Sequence, residues 1–135
     1  MKALLGDNNI QGHLEILLII LEGPTWRGLW TLLNLELRTF EDLELAPQTP
    51  DALLWQLCQE QEIILITANR NADGPDSLDT TIRTRNTTDS LPVFTIADAE
   101  QILHSRAYAE RVVERLLEYL IDIDNYRGTG RLYLP

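Results

Sequence analysis

Two polar clusters hold most of the side chains equipped for chemistry in this 135-residue chain. Gly6-Asp7-Asn8-Asn9 follows a short apolar run, and Ala68-Asn69-Arg70-Asn71-Ala72-Asp73-Gly74-Pro75-Asp76 follows a second one. Carboxylate and amide oxygens without Cys or His suit a hard cation such as Mg²⁺ or Mn²⁺, and a bound ion of that kind activates water against a phosphodiester. Asp7, Asp51, Asn69, Asn71 and Asp73 are therefore candidate metal ligands, with Asp7, Asp51 and Asp73 as the candidate catalytic acids. Arg70 and Arg83 are the candidate phosphate contacts. Asp and Asn are also common in turns and caps for local reasons, so the spacing alone leaves a structural use open.

Competing chemistries are weaker. Asn69 to Gly74 mimics the first half of a calcium-binding EF-hand loop, but the twelfth position is Thr80 where a glutamate is needed. His13 and His104 lie far apart on helical stretches, with no partner at metal-binding spacing, and read as surface or half-buried residues. Cys58 falls on the apolar stripe of its helix, where a small buried thiol is expected. Arg111 and Arg115 sit one helical turn apart among Glu110, Glu114 and Glu118, a pattern that reads as a solvated face of ion pairs. Trp26 and Trp30, also one turn apart, suit a core or a dimer patch better than base stacking.

Composition narrows the partners. Asp and Glu number 21 against 11 Lys and Arg, a formal charge of -10, so long-range attraction to a nucleic-acid duplex is disfavoured and only a local basic stripe would contact a strand. With 44% hydrophobic and 24% charged residues the chain is ordinary for a globular protein, and residues 1–135 read as a single domain. One cysteine cannot form an internal bridge, and Leu14 to Leu21 is too short to cross a bilayer and lacks a signal-peptide leader. A cytoplasmic location without membrane association is expected.

The elements that must position these residues follow from periodicity. Lys2 to Leu5 reads as a first strand emptying into Gly6 to Asn9. Ile10, Leu14, Leu17, Leu18 and Leu21 give a helix to Glu22, with Asn8 or Asn9 as its cap and Gly23 as its stop. Pro24 stands near the first turn of a second helix through Trp26 and Leu33. Leu35 to Phe40 alternates like a strand near an edge. Thr49-Pro50-Asp51 starts a helix with Thr49 as cap, and Ile63 to Ile66 runs apolar without alternation, as a central parallel strand does. A short helix over Ser77 to Arg85, a strand over Leu91 to Ile96, one long helix capped by Asp98 and running through Leu120, and a strand at Arg131 to Leu134 complete the chain. The expected fold is a three-layer α/β domain with a mainly parallel central sheet and helices on both faces.

Three blocks strengthen that expectation. Lys2-Ala3-Leu4-Leu5-Gly6-Asp7-Asn8, Thr49-Pro50-Asp51-Ala52-Leu53-Leu54 and Ile64-Leu65-Ile66-Thr67-Ala68-Asn69-Arg70-Asn71 resemble successive blocks of small prokaryotic PIN-like, toxin-type proteins. The resemblance covers about the first 75 residues and implies a PIN-like fold, a Mg²⁺- or Mn²⁺-dependent ribonuclease acting on single-stranded RNA, and an antitoxin-like protein partner; a homodimer is also compatible. Gly6, Asn69 and Asn71 stand where that family carries acids. Neutral groups weaken the field that holds an ion, so the resemblance also admits a catalytically inactive binding or interaction module.

Overall fold

The computed structural model describes residues 3–68 and 77–135. Strands β1 (Ala3–Gly6), β2 (Glu36–Arg38), β3 (Ile63–Thr67), β4 (Val93–Ile96) and β5 (Arg131–Leu134) form a five-stranded sheet in the order β2-β1-β3-β4-β5, with every pairing parallel. The connections are α1 (Gln11–Leu21), α2 (Arg27–Leu33), α3 (Asp51–Glu60), α4 (Leu78–Arg85), α5 (Glu100–His104) and α6 (Arg106–Ile121). None of the helices among the described residues is long and apolar enough to cross a membrane.

Alternation along the strands creates two cores. Leu4, Ile64, Ile66, Phe94 and Ile96 pack with α1, α2 and α6, whereas Ala3, Leu5, Ile63, Leu65 and Val93 pack with α3 and α4. Strand β3, with β1 on one side and β4 on the other, is buried at every position, which explains its unbroken apolar run. Helix α6 turns Tyr108, Ala109, Val112, Val113, Leu116, Leu117 and Leu120 inward at helical spacing. Each such aliphatic side chain, fully removed from water, contributes about 1.5–3 kcal/mol before the entropy of ordering it is subtracted. On its outer face Arg115 pairs with Glu118 as expected, Glu110 pairs with Arg106 instead of Arg111, and Arg111 and Arg115 lie over the rings of Tyr108 and Tyr119.

Local chemistry moves several boundaries. The single long helix expected after Asp98 is two helices, because Ser105 is extended (φ −138°, ψ 110°) and its Oγ accepts from the Tyr108 amide at 3.1 Å, starting a fresh helix. Asp98 instead accepts from the Gln101 side chain at 2.8 Å. Neither Asn8 nor Asn9 caps α1; residues Asn8–Ile10 form a 3₁₀ turn, closed by the Ile10 amide on the Asp7 carbonyl. Thr49 is not the cap of α3 either, since its hydroxyl donates to the Ala46 carbonyl at 2.6 Å and Pro50 occupies the cap position. Pro24 precedes α2 by a turn, and β4 starts at Val93 rather than Leu91. Strand β2 ends at Arg38 because Thr39 and Asp42 trade hydrogen bonds at 2.9 and 3.1 Å, closing a turn where the ladder would continue.

At the opposite end of the sheet Arg127 ties three segments together. Its guanidinium donates to Glu62 at 2.9 Å, to Asp124 at 3.0 Å and to the Asp89 carbonyl at 2.8 Å. Glu62 has φ 57°, left-handed for a non-glycine residue, directly before β3. The hydrogen bond from Arg127 holds the Glu62 carboxyl below its ordinary range. A depressed carboxyl contributes stability above its unfolded pKa and loses it as pH falls through the folded one. Because both groups are partly solvated, Arg127→Ala is expected to cost only about 1 kcal/mol at pH 7, and the difference from wild type should shrink below about pH 4, in urea titrations at both pH values.

Burial pushes the Cys58 thiol up to about 12. A thiol this hard to ionise and 1% exposed is a poor nucleophile. Native protein is expected to leave a chromogenic disulfide reagent unreacted at pH 8, with one equivalent released only after unfolding in denaturant.

Candidate functional site

The chain order reverses between β1 and β3, because the first crossover carries β2 to one side of β1 and the next carries β3 to the other. In open parallel sheets a crevice forms at such a point, outside the carboxyl ends of the strands. Asp7 sits at this point. Its amide donates to the Ile66 carbonyl at 2.9 Å, extending the β1 to β3 ladder by one residue, and its Oδ2 accepts from the Thr67 hydroxyl at 3.0 Å across 60 positions of chain. The register that pairs Gly6 with Ile66 makes this contact unavoidable, since the next residue of each strand turns to the same face.

That face is the one covered by α3 and α4. Helix α3 runs back antiparallel to the strands, so its first residue, Asp51, also lies at the carboxyl edge. Asp51 Oδ2 accepts from the Leu78 amide at 3.2 Å, while the Ser77 hydroxyl accepts from the Thr80 amide at 3.2 Å. Asp51 therefore supplies a negative charge to the start of α4, where unpaired amides and the helix dipole favour one. The fold brings Asp7 and Asp51 to one edge and one side of the sheet. Both are half-buried.

Other predicted site residues fare differently. Asn69, Arg70, Asn71 and Asp73 lie outside the described residues. Arg83 is exposed on the outer face of α4 and folds back on its own helix, to Thr80 Oγ1 at 3.3 Å and Asp79 at 3.6 Å. Among the described residues no group of three His, Cys, Asp or Glu side chains stands close enough to hold a metal. Mg²⁺ needs only one or two protein carboxylates when water and substrate phosphate complete its shell, and the described residues place Asp7 and Asp51 at this edge. Asp7 fits that requirement, its Oδ1 taking no hydrogen bond among the described residues. Asp51 fits it in part, one oxygen being engaged by α4.

Two contributors escaped the sequence reading. Thr67 ends the apolar strand and belongs to the third block of the resemblance, but no local pattern assigns its hydroxyl to Asp7. His13, half-buried as expected, hydrogen-bonds through Nε2 to Glu100 at 3.0 Å, joining α1 to α5. That pair spans 87 positions and no local pattern announces it.

Gly6, where an acid was expected from the resemblance, is excluded from carrying one by packing. A Cβ at this position would stand 2.0 Å from Leu14 Cδ1, and Leu14 is 3% exposed. Restoring the acid as Gly6→Asp is expected to cost about 1–3 kcal/mol in urea unfolding, as overpacked cores do, with no gain in Mn²⁺ affinity by calorimetry. The chain matches no protein-family model, no curated protein and no solved structure, so the chemistry of this crevice is read from its own side chains.

Proposed function

We propose that this chain is a PIN-like protein that acts as a Mg²⁺- or Mn²⁺-dependent ribonuclease on single-stranded RNA, at the crevice between the ends of β1 and β3. The observation that carries the reading is the Asp7 carboxylate, oriented by Thr67 through one oxygen at the point where the chain order reverses. Asp7 and Asp51 would hold the ion, with Asp73 added from the polar sequence that follows β3, outside the described residues. A divalent ion bound there supplies Lewis acidity toward a phosphodiester and a water of lowered pKa.

The protein's own contribution is positional. Thr67 donates to Oδ2 and so fixes the carboxylate rotamer, leaving Oδ1 directed by the same geometry rather than by solvent. Asp51 tethers the start of α4, which closes the α3 side of the crevice. The net charge of -10 repels duplexes at long range, which favours a short single strand reaching the edge by local contacts over wrapping of a helix.

A second reading, a catalytically inactive binding module, draws on one specific observation. Asp51 already has structural work at the α4 start, so it gives an ion only part of its charge. Calorimetric titration of Mn²⁺ into wild type, Asp7→Asn and Asp51→Ala decides between them. Saturable heat in wild type that weakens at least tenfold in Asp7→Asn is expected, together with Mn²⁺-dependent cleavage of a fluorescent single-stranded RNA that the same variant loses. Wild-type protein without saturable heat would remove the nuclease reading and leave the binding module.

A further inference from the structure

On the other side of Gly6 the structure holds a cleft of about 200 Å³ that the metal crevice does not use. Its floor is apolar, built from Leu14 and Leu18 of α1 and Leu37 of β2. Its polar lining is Gln11 and Glu15 from α1, Arg38 at the end of β2 and Thr39 just after it, the Gln11 amide being turned to Asn8 Oδ1 at 3.3 Å. Gly6 lines the same space and precedes Asp7 directly, so cleft and carboxylate belong to consecutive residues, with Cα atoms about 3.8 Å apart. The two open on opposite faces of the sheet and meet over the carboxyl end of β1.

We propose that this cleft is a nucleobase subsite, and that guanine is the base it takes. The proposal rests on the ribonuclease reading for its substrate class and goes beyond it in naming which part of a nucleotide is held where. A strand passing over the end of β1 places a phosphate on the Asp7 side and the adjoining base on the α1 side.

Size and charge select the occupant. Clefts that enclose a drug-sized ligand run from about 300 Å³ upward, so the space here accommodates one flat ring system and little else. A phosphate is disfavoured, because the charge of Arg38 is already met by Glu36 at 2.5 Å and Glu15 adds a negative one. A neutral ring lying on Leu14, Leu18 and Leu37 loses no such repulsion. The Glu15 carboxylate offers two acceptor oxygens, which match the adjacent ring N–H and amino N–H₂ on the Watson–Crick edge of guanine. Uracil offers one N–H there, and adenine and cytosine an amino group beside an acceptor, so a carboxylate pairs less completely with each.

Gly6 is part of the design. A side chain at this position would drive Leu14 off its place in the floor, since Cβ would come within 2.0 Å of Leu14 Cδ1. A side chain here would face α1, away from the Asp7 carboxylate, so the glycine keeps the cleft open without altering the crevice on the other face.

The test is an amide-resolved NMR titration of the full chain with the four ribonucleoside 5′-monophosphates and with inorganic phosphate, in EDTA, so that no metal step is required. Guanosine monophosphate is expected to shift Gly6, Glu15 and Leu37 at concentrations at least fivefold lower than the other three. Inorganic phosphate is expected to leave those amides unmoved. Glu15→Gln, an exposed helix position that does not endanger folding, should abolish the guanine preference. Shifts confined to residues outside the cleft, equal response to all four bases, the same shifts with phosphate alone, or a preference that survives Glu15→Gln would each overturn the proposal. Mn²⁺ calorimetry on the same samples reports on the nuclease reading separately: base binding without metal binding would sink that reading and keep the subsite, and metal binding without base binding would do the reverse.

Discussion

The parallel pairing of β1 with β3 is the constraint on which the rest of the molecule turns. Its register sets Gly6 against Ile66, and one step further Asp7 and Thr67 face the same side of the sheet and hydrogen-bond. A slip by one residue would turn Leu5 and Leu65 toward the wrong helices and send the Asp7 carboxylate to the α1 side. The two apolar faces therefore hold the polar contact in place. Neither core tolerates the other's side chains, and the only register compatible with both is the one that aligns the two strand ends.

That arrangement makes position 6 a place of competition. Leu14 fills the volume that a side chain there would need, so α1 sits closer to the end of β1 than a larger residue would allow. An apolar-floored cleft is thereby left on the α1 side, the face opposite to the Asp7 carboxylate. Asp51 shows the same double use, because its carboxylate both faces the carboxyl edge and compensates the amides that begin α4. Groups at the ends of parallel strands and at helix starts crowd one edge, and each oxygen there is drawn on by backbone donors as well as by any ligand.

The far edge is built to other ends. Arg127 gathers Glu62, Asp124 and the Asp89 carbonyl, and in doing so holds a left-handed Glu62 at the entrance to β3, which is buried along its whole length. Loss of that anchor would loosen the start of β3, whereas loss of the Thr67 to Asp7 contact would leave the strand intact and release only a carboxylate. The Arg127 anchor and the candidate chemistry thus sit at opposite ends of β3, and the left-handed residue lies at the anchored end.

Periodicity and run length alone determined the element order, the burial of Ile63 to Ile66 on both faces and the inward stripe of α6, since these depend on which neighbours along the chain can share a face. The same patterns marked Asp7 and Asp51 as residues at element ends. What they did not carry was anything fixed by contacts between distant segments: the break at Ser105, where Ser105 takes the Tyr108 amide and opens a second helix; the pairing of His13 with Glu100; the partner of Thr67; and the reason for Gly6. Each of these is settled by which surfaces the sheet presses together, and a side chain's room or its hydrogen-bond donor is then supplied by residues tens of positions away. Local sequence specifies what a segment prefers to be, and only the packed tertiary structure decides which of its atoms are left facing the crevice.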